Sequence, residues 1–169
     1  MRKLALFLPL LIFVGLVVAM YKQLGVNPEY MPSALIGKPV PNFTLVSLQT
    51  NKVLDPSVLP KRAYLLNFWA TWCPTCEMEH AYLTKLAKQG ILIVGIDYKD
   101  DQAKAQQWLV TKSNPYQTVL MDELGKFGVD MGVTGAPETF VVNSDGIIVY
   151  RYQGAMSELV WQKMKGYLK

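Results

Sequence analysis

The stretch Tyr64-Leu65-Leu66-Asn67-Phe68-Trp69-Ala70-Thr71-Trp72-Cys73-Pro74-Thr75-Cys76 sets the reading of this 169-residue chain. Its first six residues are a short, nearly continuous apolar run of the kind that forms a strand covered on both faces. Residues 77–88 then read as helix, with no Gly or Pro until Gly90. Residues 91–96 are a second apolar run, so strand, helix and strand make a βαβ unit with a parallel pair. Both cysteines of the chain lie where the first strand gives way to the helix, three residues apart. At a helix N-terminus Cys73 faces the free amides of the first turn and the positive end of the dipole, which favours thiolate over thiol. Pro74 suits the first helical position because its missing N–H has no intrahelical partner to lose. One helical turn brings Cys76 close enough to Cys73 to close a small disulfide ring. Cys73 is thus expected to be the exposed attacking sulfur, and Cys76 the more buried one that resolves a mixed disulfide.

On the N-terminal side of the unit, residues 43–48 alternate apolar and polar as a half-buried strand does, and a turn at Thr50-Asn51 leads to a short strand around Val53. On the C-terminal side a helix over 103–111 and a strand over 118–121 follow. Residues 139–142 and 147–152, joined by Asn143-Ser144-Asp145-Gly146, read as a β-hairpin. A helix over 157–168, with Ser157 as N-cap, closes the chain.

Residues 4–21 carry no charge. As a helix they span roughly 27 Å, close to the hydrocarbon thickness of a bilayer. Arg2 and Lys3 precede the run and only Lys22 follows closely, which places the N-terminus in the cytoplasm and the body outside it. A cleaved signal peptide is the competing reading, since Val17 and Ala19 have the spacing a signal peptidase accepts. The run is longer than such a peptide's core, which favours an uncleaved anchor over residues 1–21, and export follows on either reading. Residues 22–38 read as a linker and 39–169 as one domain. The net charge of +4 is mild and scattered, and charged residues make up only 18% of the chain, which excludes a nucleic-acid binder.

Two other uses of the cysteines compete with redox chemistry. A purely structural disulfide suits an oxidising compartment, but a ring this small removes little chain entropy. Metal binding by Cys73, Cys76 and the only histidine, His80, including copper delivery, would need three ligands from one stretch of helix with no distant fourth. No metal or cofactor is therefore expected.

The segment from Phe68 to Cys76 resembles the active site of thioredoxin-like oxidoreductases. Pro39-Val40-Pro41-Asn42-Phe43, Glu77-Met78-Glu79-His80, Asp97-Tyr98-Lys99-Asp100-Asp101 and Gly132-Val133-Thr134-Gly135-Ala136-Pro137-Glu138-Thr139-Phe140 narrow the resemblance. Together they resemble the membrane-anchored thiol:disulfide interchange proteins of cytochrome c maturation (DsbE/CcmG type). The resemblance implies an α/β, thioredoxin-like fold with an added N-terminal β-hairpin, preceded by one transmembrane helix in the inner membrane, with the catalytic domain on the periplasmic side. It implies a disulfide reductase acting on apocytochrome c or a cytochrome c maturation protein, re-reduced by a membrane thiol:disulfide electron donor, with no cofactor. The rivals are an exported thioredoxin-like oxidoreductase of another pathway, a copper-delivery protein and a non-catalytic adaptor.

The resemblance also assigns supporting residues. Pro137 matches a proline that follows a cis peptide opposite the CxxC, where the backbone near Ala136 pairs with extended substrate; read alone it is an ordinary trans proline. Trp72 is a partly exposed contact surface and Trp69 is core. Asn67 stands where thioredoxins carry a buried carboxylate, and an amide cannot act as a base. Glu79 and Glu138 are the candidates to replace it. Glu79 falls on the helix stripe of Leu83 and Leu86, where it either reaches back to solvent or is buried with a raised pKa. Glu138 is otherwise a surface charge beside a turn, and Tyr98 through Asp101 read alone are a solvated loop, where the resemblance implies a feature of the subfamily near the site.

Overall fold

The computed structural model describes residues 8–23 and 34–168, which fall into two units, Met1–Met31 and Pro32–Lys169. In the first, helix α1 (Leu8–Gln23) presents exposed apolar side chains from Leu10 to Tyr21. It has 16 described residues, and among the described residues no helix is long and apolar enough to cross a membrane. Residues 4–7 of the expected span, and 24–33 of the expected linker, lie outside the described residues.

The second unit is built on a seven-stranded sheet. Its strands are β1 (Leu45–Ser47), β2 (Val53–Leu54), β3 (Tyr64–Trp69), β4 (Ile93–Tyr98), β5 (Thr118–Asp122), β6 (Glu138–Val142) and β7 (Ile148–Gln153), in the order β2-β1-β5-β4-β3-β6-β7. β3 lies parallel to β4 and antiparallel to β6, and β4 lies parallel to β5. Helix α2 (Pro74–Lys88) crosses from β3 to β4 and α3 (Gln102–Lys112) from β4 to β5. Successive right-handed crossovers in one direction put both helices on one face of the sheet. The expected hairpin β1–β2 joins the sheet through β1, antiparallel to β5.

Every residue of β3 is buried, because the sheet is covered on both sides. Leu65 and Trp69 face the core formed with Leu83 and Leu86 of α2, Leu109 of α3, and Trp161 and Met164 of α5 (Glu158–Met164). Leu66 and Phe68 face the opposite core, with Phe140 from β6 and Phe127 from the short helix α4 (Lys126–Asp130). This alternation sends Asn67 towards the α2 side together with its neighbours in register, Gly95 and Thr139.

Boundaries shift where a turn uses residues that look like strand or helix. β4 starts at Ile93, two residues later than expected, because Gly90 turns at φ 86° and the Ile91 N–H returns to the Leu86 carbonyl to close α2. The last helix stops at Met164 and tightens to a 3₁₀ turn over Lys165–Tyr167. Ser157 caps it as expected, its Oγ accepting from the Val160 N–H at 3.4 Å. Helix α4 has one turn and a central glycine, so it carries no periodic signal. The Asp122 carboxylate holds it instead, accepting from the N–H groups of Phe127 (3.1 Å) and Gly128 (2.7 Å). Gly37 to Val40 are hydrogen-bonded to the β6–β7 hairpin, at Ile148 and Gly146.

Candidate active site

Cys73 is the N-cap of α2, with Pro74 at the first helical position. Its Sγ accepts from the Cys76 N–H at 3.1 Å, and its carbonyl receives the N–H groups of Cys76 and Glu77. The two cysteines form a disulfide with Cα atoms 5.3 Å apart. Cys73 is the less buried sulfur, but at 4% exposure against 2% for Cys76 it is not exposed. The expectation of an exposed attacking sulfur fails for the disulfide form, because the ring folds back onto the helix end and joins the core with Ala70 and Trp69.

The lead-in turn is held from the loop that follows β4. The Asp100 carboxylate accepts from the Thr71 N–H and, at 2.8 Å, from the Thr71 Oγ. Trp72 is 52% exposed, and its indole N–H donates to the Lys99 carbonyl at 3.0 Å, which fixes the ring as an apolar face beside the disulfide. The solvated-loop reading of residues 98–101 holds for Lys99 and Asp101, which are exposed, and fails for Tyr98 and Asp100. Tyr98 is a buried β4 residue against Phe68, and Asp100 is half-buried on the turn.

Below the disulfide, Glu79 points inward on α2, one turn after Cys76 on the buried face, with 1% exposure. Its Oε2 accepts from the Met156 N–H (2.7 Å) and its Oε1 from Asn67 Nδ2 (3.0 Å). Asn67 Nδ2 also donates to Thr139 Oγ1, and its Oδ1 accepts from the Tyr116 hydroxyl, each at 3.0 Å. Burial disfavours the ionised carboxylate and lifts the Glu79 pKa to about 7, against the two hydrogen bonds that lower it. A carboxyl group poised near neutrality beside a cysteine can give or take a proton there.

Glu138 is also fully buried, but it is engaged. Its Oε1 accepts from Arg151 Nε and its Oε2 from the Thr134 N–H at 3.3 Å. Arg151 Nη2 reaches the Gly132 carbonyl at 2.8 Å, so the pair clamps both ends of the Gly132–Thr134 loop. Burial raises the Glu138 pKa, and the guanidinium offsets part of that rise. The loop leads to Ala136 and the buried Pro137, joined by a cis peptide bond, with Ala136 packed against the core that holds both cysteines.

His80 turns away from the sulfurs. Its Nε2 donates to the carbonyls of Lys112 (3.1 Å) and Ser113 (2.9 Å) at the C-terminus of α3, and its ring packs edge-on against Trp108. Burial lowers its pKa, against the two carbonyl bonds that raise it, and the ring serves as a helix cap. Among the described residues no group of three His, Cys, Asp or Glu is placed to hold a metal ion.

Sequence reasoning missed Arg151, Tyr116 and Thr139 as parts of the site. Thr139 and Arg151 enter through sheet register, since Asn67 pairs with Thr139 and Phe140 with Arg151, whereas Tyr116 lies before β5 and enters only through its hydroxyl bond to Asn67.

Comparison with known proteins agrees with this geometry. The Redoxin family model matches residues 35–166. The thiol:disulfide interchange protein DsbE of Yersinia pestis is 52% identical over 165 residues, covering 94% of this chain and 88% of that protein. The protein of the same name from Escherichia coli (strain K12) is 46% identical over 170 residues, covering 96% and 92%. Among solved structures, the thio-disulfide isomerase from Thermus thermophilus superposes with a TM-score of 0.64 at 23% identity, over 78% of this chain and 96% of that one, a likeness of fold.

Proposed function

The chain belongs to the Redoxin family and is a thiol:disulfide oxidoreductase, and on that premise we propose that it reduces disulfides in apocytochrome c or in a partner protein of cytochrome c maturation, so that haem can be attached. The observation that carries the reading is the buried Glu79 carboxyl one turn below Cys76, tuned near neutrality beside an amide that cannot itself take a proton.

In the reduced protein Cys73, on the amides of the α2 N-terminus, is the thiolate that attacks one sulfur of the substrate disulfide. A mixed disulfide forms and the substrate's other sulfur leaves as a thiolate. Glu79 takes the proton of the Cys76 thiol, and the Cys76 thiolate attacks Cys73 Sγ. Glu79 returns that proton to the second substrate sulfur as it leaves and solvent protonates the first, so the substrate departs with two thiols and this chain keeps the disulfide. Two electrons then come from a membrane thiol:disulfide donor to restore the dithiol. Trp72 and the backbone at Ala136 and Pro137 form the surface on which extended substrate lies. Glu138 acts by holding the 132–134 loop through Arg151.

The domain is placed on the periplasmic side of the inner membrane by an anchor over residues 4–21. Supporting this are the uncharged run, the Arg2 and Lys3 flank and the exposed apolar face of α1.

The Cys76→Ser variant tests the substrate. It lacks the resolving sulfur and should trap the mixed disulfide on Cys73 in cells. Apocytochrome c or one maturation partner in the adduct is the expected result. A broad spread of exported proteins would reassign the chain to general disulfide exchange.

A further inference from the structure

A second buried carboxyl group lies on the same side of the sheet as Glu79, and the exchange chemistry above does not use it. Asp97 is the penultimate residue of β4, with 0% exposure, in register with Trp69 of β3 and Met121 of β5. Neither carboxyl oxygen has a hydrogen-bond donor among the described residues. An ionised carboxylate so placed would be desolvated without compensation, which proteins rarely tolerate. The groups acting on it do not relieve this. Asp100 and Asp101, on the loop that leads into α3, are both acidic, and the buried Tyr116 phenol also feels both Asp97 and Glu79.

The missing donor becomes unnecessary if Asp97 is itself the donor. Asp100 lies within hydrogen-bonding reach of Asp97, and it is the carboxylate that accepts from the Thr71 N–H, the Thr71 hydroxyl and the Asp101 N–H. We propose that Asp97 is kept as a carboxylic acid whose O–H donates to Asp100, and that this acid–carboxylate pair positions the Thr71 turn leading into Cys73. Asp97 is a positioning residue acting through Asp100. Protonated, it fixes Asp100 from behind while Asp100 holds the turn from the front. Ionised, it sets two negative charges side by side and pushes Asp100 off Thr71. Burial and the two acidic neighbours lift its pKa to about 8, so the turn is held at neutral pH and loosens on the alkaline side.

The test uses the full-length oxidised chain in detergent, where neither thiol titrates, with ¹³C-labelled aspartate and ¹⁵N. The expected result is one aspartate carboxyl titrating near pH 8, absent in Asp97→Asn, and a Thr71 amide shift that follows the same midpoint. In Asp97→Asn the side-chain amide can still donate to Asp100, so the fold is kept and the alkaline step at Thr71 is lost. Asp100→Asn, which removes the facing charge, should shift the Asp97 midpoint down. A wild-type Asp97 that titrates in the ordinary carboxylate range, or a Thr71 amide that ignores its midpoint, overturns the proposal, and both are read on wild type if either variant fails to fold.

Discussion

Asn67 Nδ2 lies 3.0 Å from Glu79 Oε1, so the amide at the centre of β3 is a donor to the carboxyl group on α2. The two residues divide a task that one carboxylate could perform alone. The sheet supplies a fixed dipole, and the helix that carries the cysteines supplies the titrating group. Because Glu79 also accepts from the Met156 backbone, its carboxyl group is held from two sides, by β3 and by the segment before α5.

Replacing Glu79 by Gln should slow resolution of the mixed disulfide by about 10²-fold, the lower end for loss of a general base. The same variant should change the pH dependence of stability. Glu79 binds its proton more tightly folded, near pH 7, than unfolded, so the stability it contributes is complete below pH 4.5 and lost as the pH rises through 7. That loss is on the order of 3 kcal/mol in the wild type. Urea denaturation at pH 5 and pH 8 should show a flatter profile in Glu79→Gln, while stopped-flow exchange reports the rate.

Asn67→Asp should put a second carboxyl group against Glu79. Two buried carboxyls at hydrogen-bond distance share one proton, and the second ionisation is driven up. The folded form then holds extra protons through neutrality, so stability falls further as the pH rises from about 4 to above 7. A cost of about 3 kcal/mol relative to wild type is expected at pH 8, with a much smaller one at pH 5. Equal destabilisation at the two values would assign the effect to packing.

Arg151→Met should leave Glu138 buried without its cation. Breaking a buried pair on one side costs about 3–5 kcal/mol, and lower pH recovers part of it as Glu138 protonates. Adding Glu138→Gln should restore most of the stability, as a denaturation cycle over the four forms would measure. If Glu138 acts by holding the 132–134 loop, the double variant recovers folding before it recovers exchange activity.

The CxxC, its place at a helix N-terminus, and the βαβ unit around it are legible in sequence because each depends on residues close together in the chain. Glu79 is legible for the same reason, as a charge on the stripe of Leu83 and Leu86. The partners that give those residues their chemistry come from elsewhere. Met156 reaches Glu79 from 77 positions away, and Thr139 reaches Asn67 from 72. Sheet register and loop closure, which no local pattern records, bring them together. Asp97 shows the opposite failure. It follows the apolar segment 91–96 and draws no reading of its own, yet the strand extends two residues past that segment and carries it inside.

Gly95→Ala tests how closely the network is fitted. A Cβ on Gly95 would lie 2.8 Å from Tyr116 Cγ and 2.9 Å from Trp69 Nε1, closer than real Cβ contacts come. Both rings are buried and stacked on each other, with centroids 5.5 Å apart, so neither can yield alone. Overpacking of this kind costs about 1–3 kcal/mol. Displacing Tyr116 also takes its hydroxyl off Asn67 Oδ1, the bond that turns the amide so that Nδ2 faces Glu79. With that donor loosened, one of the two hydrogen bonds that lower the Glu79 pKa weakens and the pKa moves above 7. The variant should therefore be less stable, show altered Trp69 fluorescence, and carry its exchange-rate profile to higher pH. A stability loss with an unmoved pH profile would show that the Tyr116–Asn67 bond does not orient the amide.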